Sequence, residues 1–547
     1  MKPLPAVLFA ALGLWAAPLM ARDYFVAPSG NDTGTGSQAQ PLKSIEAVNK
    51  LTLSPGDRVF FMGGVTFSAG IVIKASGAEG KPIVLASYGK GQSIIVPASG
   101  GESALKILNS SYVSVSNLVF AGPGRDKSTV NGVQLSNDGG EPCGHITVDR
   151  CEVLGFGNCG LDIEAKHKAG WVGVHVTRSS FHHNKNIGVH SAADWLQSPR
   201  PNKDLYIGYC KAYSNWGRFD NSDNIGGIVL MGISGVLIEH CELYDNGGDH
   251  PYGGGVFGAW VWSADHVIMQ FNESHHNKQN GKSSDGGGYD LDGATSDSIV
   301  QYNYSHDNDG AGVLLAQFPG GAKSGAFKNN IVRYNVSVRD CQRGEYGGIT
   351  VWGGSPQDYI SHCEIYGNSV YVAPATRGGK PCGVEFIDAN QRDVAFYNNI
   401  FYTTAGIPLI RMPGLGDNGT VLFKGNDYFT EGGGFRMDWD ERRISSMAGW
   451  VGLGRGKQEQ EEGRTLGMNV DPLWRKAGGG PTFSDPSLYT HLYDYLLQTG
   501  SPLRDKGLDL SKRAGLLAPP GKRDYYGYPV PAGAGWDIGA HEYPVKN

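Results

Sequence analysis

The chain has 547 residues, 82 of them glycine, a formal net charge of −6 and a pI near 6.2. A charge so close to neutral gives no case for nucleic acid or an anionic membrane as partner. Glycine at roughly twice its usual share of about 7% argues for many tight turns rather than long helices.

Met1 and Lys2 precede an apolar run, Ala6–Met20, that ends in small residues near Ala21. Residues 1–21 therefore read as a signal peptide, and the mature protein is expected to be secreted or periplasmic. No other segment is apolar enough over a bilayer's thickness to span it. Residues 22–100 read as an N-terminal cap with the first strands. Tyr24-Phe25-Val26 starts a strand, Gly30-Asn31-Asp32 turns it, and Ser44–Val48 is a short helix. Pro55-Gly56-Asp57 leads into the strand Arg58–Phe61.

Residues 101–430 carry a beat of 31 residues, kept without a slip by Asn184, Asn215, Asn246, Asn277 and Asn308. Five residues before these asparagines stand Ser179, Cys210, Cys241, Asn272 and Asn303; two before stand His182, Tyr213, Tyr244, His275 and His306. A fixed period of this length marks a stack of units. Each period holds short β-rich runs, such as Val236–Ile238 and Ile299–Gln301, with no room for a helix pair. The expected fold is all-β: a solenoid with three short parallel strands per coil of about 31 residues. Equivalent residues of neighbouring coils would lie about 4.7–4.9 Å apart. Buried asparagines could then tolerate the left-handed turn and pass hydrogen bonds up the stack, with cysteine filling the same small slot. Cys151 starts that slot, and Asn335, Cys363 and Asn398 continue it. Stacked Cys210 and Cys241 read as buried thiols rather than a disulfide. Residues 431–547 read as a charged, helix-bearing insertion over 431–485 followed by a closing segment.

The opening string YFVAPSGNDTGTGSQAQPLKSIEAVNKL, with SPGDRVFF and a following GG, resembles the N-terminal cap of secreted right-handed parallel β-helix proteins, the pectate-lyase-like superfamily. The string YLLQTGSPLRDKG…WDIGAHEY resembles their closing segment. The resemblance covers nearly the whole mature chain. It implies a single-stranded right-handed parallel β-helix of the pectin-lyase type, and export. It names no reaction, since that scaffold hosts lyases, hydrolases, epimerases and passive adhesins.

The strand after each asparagine turn begins with glycine, as in Gly160–Glu164, Gly188–Ser191, Gly258–Trp262, Gly288–Asp292, Gly348–Trp352 and Gly383–Ile387. Alternation points the first and third residues after each glycine inward and the second and fourth outward. One outer face then carries Asp162, Glu164, His190, Trp260, Trp262, Asp290, Asp292, Thr350, Trp352 and Glu385. A one-residue shift of the tryptophan strand would turn Trp260 and Trp262 inward. Loops before these strands add Asp220, Asp223, Asp249, His250 and Asp285 as walls. Indoles stack on pyranose rings and carboxylates hold hydroxyls or move protons, so the expected ligand is an oligo- or polysaccharide bound by a monomer.

Asp290 and Asp292 share a strand face, with Cα atoms about 6.6 Å apart from the strand rise. That allows either carboxyl spacing of glycosidases, near 5–5.5 Å or beyond 6.5 Å. Like charges this close raise one pKa, which a general acid needs. The string SDGGGYDLDG is similar to the catalytic region of β-helix lacto-N-biosidase-type glycoside hydrolases, which implies Asp285 and Asp292 as the pair. It also resembles the calcium site of some pectate lyases, which would take Asp249, Asp285, Asp290 and Asp292 as ligands. Such lyases need a Lys or Arg base one coil on, where this chain has Val313–Ala316; Lys282, Lys323 and Arg343 lie on loops. The first reading is a cofactor-free glycoside hydrolase, the second a calcium-dependent polysaccharide lyase, the third a non-catalytic carbohydrate-binding β-helix. His275, His276 and His306 read as a structural stack with Tyr213 and Tyr244.

Overall fold

Thirteen short strands, from Thr66–Ser68 to Asp427–Glu431, stack into one parallel sheet. The computed structural model describes residues 21–97, 101–166, 169–217, 224–248, 254–280, 285–413, 420–454 and 457–544. Each strand of that sheet belongs to a coil with two further strands, so the chain winds as a parallel β-solenoid. Ser180 lies level with Lys211, Lys211 with Glu242, Glu242 with Glu273, and Glu273 with Tyr304. In two coils the first and second strands merge into one long strand, Ile225–Glu239 and Val256–Gln270. Coiling is under way before residue 101, since Thr66–Ser68 and Ser93–Val96 already pair in the stack.

The core is the inside of the coils. Leu161, Ile163, Val189, Ile228, Leu230, Ala259, Val261, Tyr289, Leu291, Val313, Leu315, Ile349 and Val351 all point into it and are buried. Two asparagine ladders run beside them. Asn184 Nδ2 donates to Asn215 Oδ1 at 3.2 Å, and the chain continues through Asn246, Asn277 and Asn308 to Asp340. Buried amides of this kind must be paired, and each one here donates to a backbone carbonyl of the coil before and to the side chain of the coil after. The left-handed backbone falls one residue earlier than expected, on His183, Ser214, Asp245, His276 and Asp307, with φ between 52 and 54°.

The second ladder passes from Asn272 through Asn303 and Asn335 to Asn368, Asn399 and Asn426, ending on Glu459. Cys363 and Asn398 are therefore not in this slot. Cys363 lies in the second strand of its coil, and Asn398 instead bonds Leu508 at the surface side. Changed coil lengths shift the slot, and adjacent asparagines at 398 and 399 make it ambiguous from spacing alone. Cys151 does begin the slot, its N–H bonding Ser179 Oγ at 3.0 Å. All eight cysteines are free thiols.

Both ends of the stack are closed. The one-turn helix Ile45–Val48, capped by Ser44, buries Ile45 and Val48 against the first coils. At the other end Trp450, on the one-turn helix Met447–Trp450, packs on Phe423, Tyr428 and Trp439. Strand Met437–Trp439 still belongs to the stack, so the expected insertion starts later than residue 431. The closing segment then runs back along the thirteen-stranded sheet, where Arg339 bonds Gly478 O, Phe483 N–H bonds Glu273 and Lys211 bonds Ser484 O. That path leaves the face of the glycine-led strands open. Among the described residues no helix is long and apolar enough to cross a membrane.

Candidate active site

The glycine-led strands set one continuous outward row: Lys106, Gln134, Asp162, His190, Val229, Trp260, Asp290, Leu314, Thr350, Glu385 and Arg411 lie level in successive coils. Trp260 is thus the direct neighbour of Asp290, and both indoles of its strand face outward. Glycine is required where the acids emerge. Gly286 has φ of +96°, and a Cβ on Gly288 would lie 2.3 Å from Ser305 Oγ. These residues let the loop drop steeply into the strand Gly287–Leu291.

Three carboxyls meet there in unlike surroundings. Asp290 is 3% exposed, and its Oδ1 has no partner. Burial, then the charges of Asp292 and Asp285, push its pKa well above the ordinary carboxylate value, which favours its neutral form. Asp292 is half-buried, and its Oδ1 accepts the Gly293 N–H at 2.7 Å. Burial raises it to about 7, the Gly293 N–H opposing and the Asp285 charge adding. Asp285, also half-buried, accepts the Tyr346 Oη–H at 3.1 Å and the Gly255 N–H. Tyr346 in turn is raised by burial and by all three aspartates, which places it over the cluster.

Aromatic walls flank the acids. Trp262, level with Asp292, sits between Trp195 at 5.8 Å and Phe318 at 6.1 Å, ring centre to ring centre. On the far side an open pocket of about 520 Å³ is lined by Glu345, Tyr346, Trp352, Glu385, Ile387, Arg411 and Pro413. Glu385 is raised to about 7, chiefly by burial, and pairs with Arg411. Trp260 differs from the other two tryptophans: it is 3% exposed and its Nε1–H bonds Ile225 O, so it supports the site from beneath.

The structure brings Asp285, Asp290, Asp292, Trp260 and Trp262 together, with Trp352 and Glu385 in the adjoining pocket. Asp162, Glu164 and His190 lie three or more coils to the other side, about 14 Å or further from Asp290 at 4.7–4.9 Å per coil. Asp162 bonds His190 at 2.9 Å, and Glu164 faces Gln134 and Lys166. Asp220, Asp223, Asp249, His250 and Lys282 lie outside the described residues. Arg343 is held by Gln279 O and Lys323 is exposed on its loop. Sequence reasoning missed Tyr346, Arg411, Trp195 and Phe318. Arg411 was the findable one, since extending the strand alignment one coil past Glu385 reaches it; the others come from loops whose folding no periodicity reports.

The expected stack is present for His182, Tyr213, Tyr244, His275 and His306, ring on ring at 4.5–5.0 Å, but His276, at the left-handed turn, stands edge-on to His275 at 5.1 Å rather than in the stack. The sequence profile described as the right handed beta helix region matches residues 205–370. The chain is a right-handed parallel β-helix. A lacto-N-biosidase of Bifidobacterium longum subsp. longum is 25% identical over 456 residues, taking in 64% of this chain. The chain spans only 27% of that relative's length. The crystal structure of the GH136 lacto-N-biosidase from Eubacterium ramulus superposes with a TM-score of 0.50 at 18% identity, over 71% of this chain and 65% of the other. That likeness shows the shared scaffold.

Proposed function

We propose that this protein is an exported glycoside hydrolase acting on an oligo- or polysaccharide, with Asp292 as general acid and Asp285 as its ionised partner. The single observation that carries the assignment is the difference in access among the three acids. Asp285 and Asp292 open to solvent, while Asp290 is buried beneath them. A general acid must be protonated near the working pH and reach the leaving oxygen; Asp292, raised to about 7, meets both conditions. Tyr346 Oη–H and the Gly255 N–H favour the charged form of Asp285 by bonding to it, as a nucleophile or base requires. Asp290, kept neutral, adds no third charge to the cluster. Trp262 and Trp352 supply flat surfaces for sugar rings, and similarity to lacto-N-biosidases supports a saccharide substrate.

The test is turnover, glycan affinity and melting temperature for Asp285→Asn, Asp290→Asn and Asp292→Asn, with and without chelator, on a glycan first found by array. Asp285→Asn and Asp292→Asn should each lose at least the 10²–10⁴ in rate that acid–base catalysis is worth, at retained affinity. Asp290→Asn, which mimics a neutral acid, should keep turnover within about tenfold on that same scale. The wild-type rate should fall as pH rises through about 7, where Asp292 loses its proton. Normal turnover in both Asp285→Asn and Asp292→Asn would remove the pair from the mechanism. Loss of wild-type activity with chelator that calcium restores and zinc does not would instead favour calcium held by Asp285, Asp290 and Asp292. Binding with no turnover in wild type would leave a carbohydrate-binding β-helix.

A further inference from the structure

Among the described residues, two groups of side chains outside the acid cluster bring three metal-ligating atoms within 4.8 Å of one another: Cys159/Asp162/His190 and Glu273/His275/His306. The second is a structural lock. Its imidazoles stack face to face at 4.9 Å, so their in-plane lone pairs run side by side rather than converging. Glu273 is already committed to His306 at 3.2 Å and to the Phe483 N–H at 2.8 Å, under the closing segment.

The first group is built differently. Cys159 stands just before Gly160 and Asp162 two residues after it, both turned to the outer face; His190 comes from the next coil, level with Asp162. Asp162 Oδ1 and His190 Nδ1 are 2.9 Å apart. Two donors on one tetrahedral zinc, at bonds of about 2.0–2.1 Å, sit roughly 3.3 Å from each other, so a small opening of this pair admits the ion. A buried amide fixes the other two groups. Asn131 Nδ2 donates to Asp162 Oδ2 at 2.7 Å, while Asn131 Oδ1 accepts the Cys159 N–H at 3.1 Å. Outer-shell partners of this type hold ligands in register for a metal. His190 keeps 16% of its side chain exposed, which gives the ion an entry from the cleft.

We propose that Cys159, Asp162 and His190 form a zinc-class divalent-metal site, separate from the acid cluster. The donor set decides the class. Thiolate with imidazole and carboxylate suits zinc or cobalt(II), whereas calcium and magnesium take oxygen alone. On binding, the Cys159 thiol gives its proton to solvent and the thiolate enters the ion's shell. Three protein ligands leave a fourth position facing the cleft, as in zinc sites that hold a water or a ligand oxygen. At about 14 Å from Asp290, three coils of 4.7–4.9 Å, the ion is too far to touch a bond cleaved by the acids. It would anchor a hydroxyl or carboxylate of a sugar bound further along the groove.

The experiment uses the full mature chain, stripped by chelator and titrated with zinc or cobalt(II) alone. About one equivalent should bind, and the cobalt form should show the near-ultraviolet charge-transfer band of a thiolate ligand. Cys159→Ser should abolish that band, and His190→Ala should weaken binding at least tenfold. Asn131→Ala should cost about 10–100-fold, as loss of outer-shell partners does. Asp292→Asn should bind the metal as wild type does, which separates this site from the proposed chemistry. Melting curves of the chelated variants confirm that each is folded. Binding well below stoichiometry, a cobalt complex without the thiolate band, or affinity unchanged in both Cys159→Ser and His190→Ala would each overturn the site.

Discussion

Burial sets what individual residues on this scaffold can do. Cys210 and Cys241 are stacked in the core at 2% and 0% exposure, and burial, with Cys210 adjoining, lifts the Cys241 thiol well above its ordinary value. Both should resist thiol reagents in native protein and react only on unfolding; rapid labelling of the folded chain would contradict this packing. The tryptophans divide in the same way. Trp352 lines an open pocket while Trp260 is buried with its N–H bonded. Trp352→Ala should weaken glycan binding with little change in melting temperature. Trp260→Ala should instead cost stability, about 3–5 kcal/mol for a buried aromatic. Isothermal titration and thermal melts on the two variants distinguish the roles, and a large loss of melting temperature from Trp352→Ala would take that indole out of the cleft.

At the scale of the coil, the asparagine ladder is what makes the repeat strict. Asn215 N–H and Nδ2 both donate to Asn246 Oδ1, and Asn246 Nδ2 donates to Ala212 O and Asn277 Oδ1. Asn246→Ala strands the Asn215 donors and the Ala212 carbonyl inside the protein. Each such group costs about 1–3 kcal/mol, so the variant should lose several kcal/mol in chemical denaturation. A loss below about 1 kcal/mol, the net worth of one ordinary bond, would mean the ladder is dispensable. The same ladders explain how non-glycine residues hold left-handed φ at each turn. The strain of about 1–2 kcal/mol per residue is offset by amide bonds repeated in every coil.

For the molecule as a whole, buried acids set the pH response. Burial raises Asp427 to about 8, Glu459 to about 7, Asp524 to about 7, and Glu542, with Asp537 beside it, to about 8. Unfolded carboxyls titrate near 4. Between about pH 4 and 8 the folded chain therefore holds protons that the unfolded chain has released, and stability falls as pH rises. His541 works the other way: burial, then Arg475 and Arg504, lower it to about 3, which costs stability below about 6.5. Burial lowers His183 and His276 as well, while the Asp307 and Glu273 bonds raise His306 against its burial; the raised acids outweigh the lowered histidines, so the melting temperature should be higher near pH 5 than at pH 8. A melt rising steadily from pH 5 to pH 8 would show that these acids are ionised in the fold.

The sequence by itself determined the coil. A period of 31, glycines leading strands and alternating apolar residues leave little freedom, because each coil must bury the same face on the next. Alternation also settled which side of those strands Asp290 and Asp292 occupy. It could not tell the three aspartates apart, since their difference lies in access and partners. Tyr346 and Gly255 reach Asp285 across loops 61 and 30 residues away in sequence. Where coil lengths change, spacing also lost the ladder, as with Cys363 and Asn398 against Asn368 and Asn399. Local periodicity fixes the backbone stack, whereas pKa, exposure and the walls of the cleft arise from loops whose contacts only the folded chain creates.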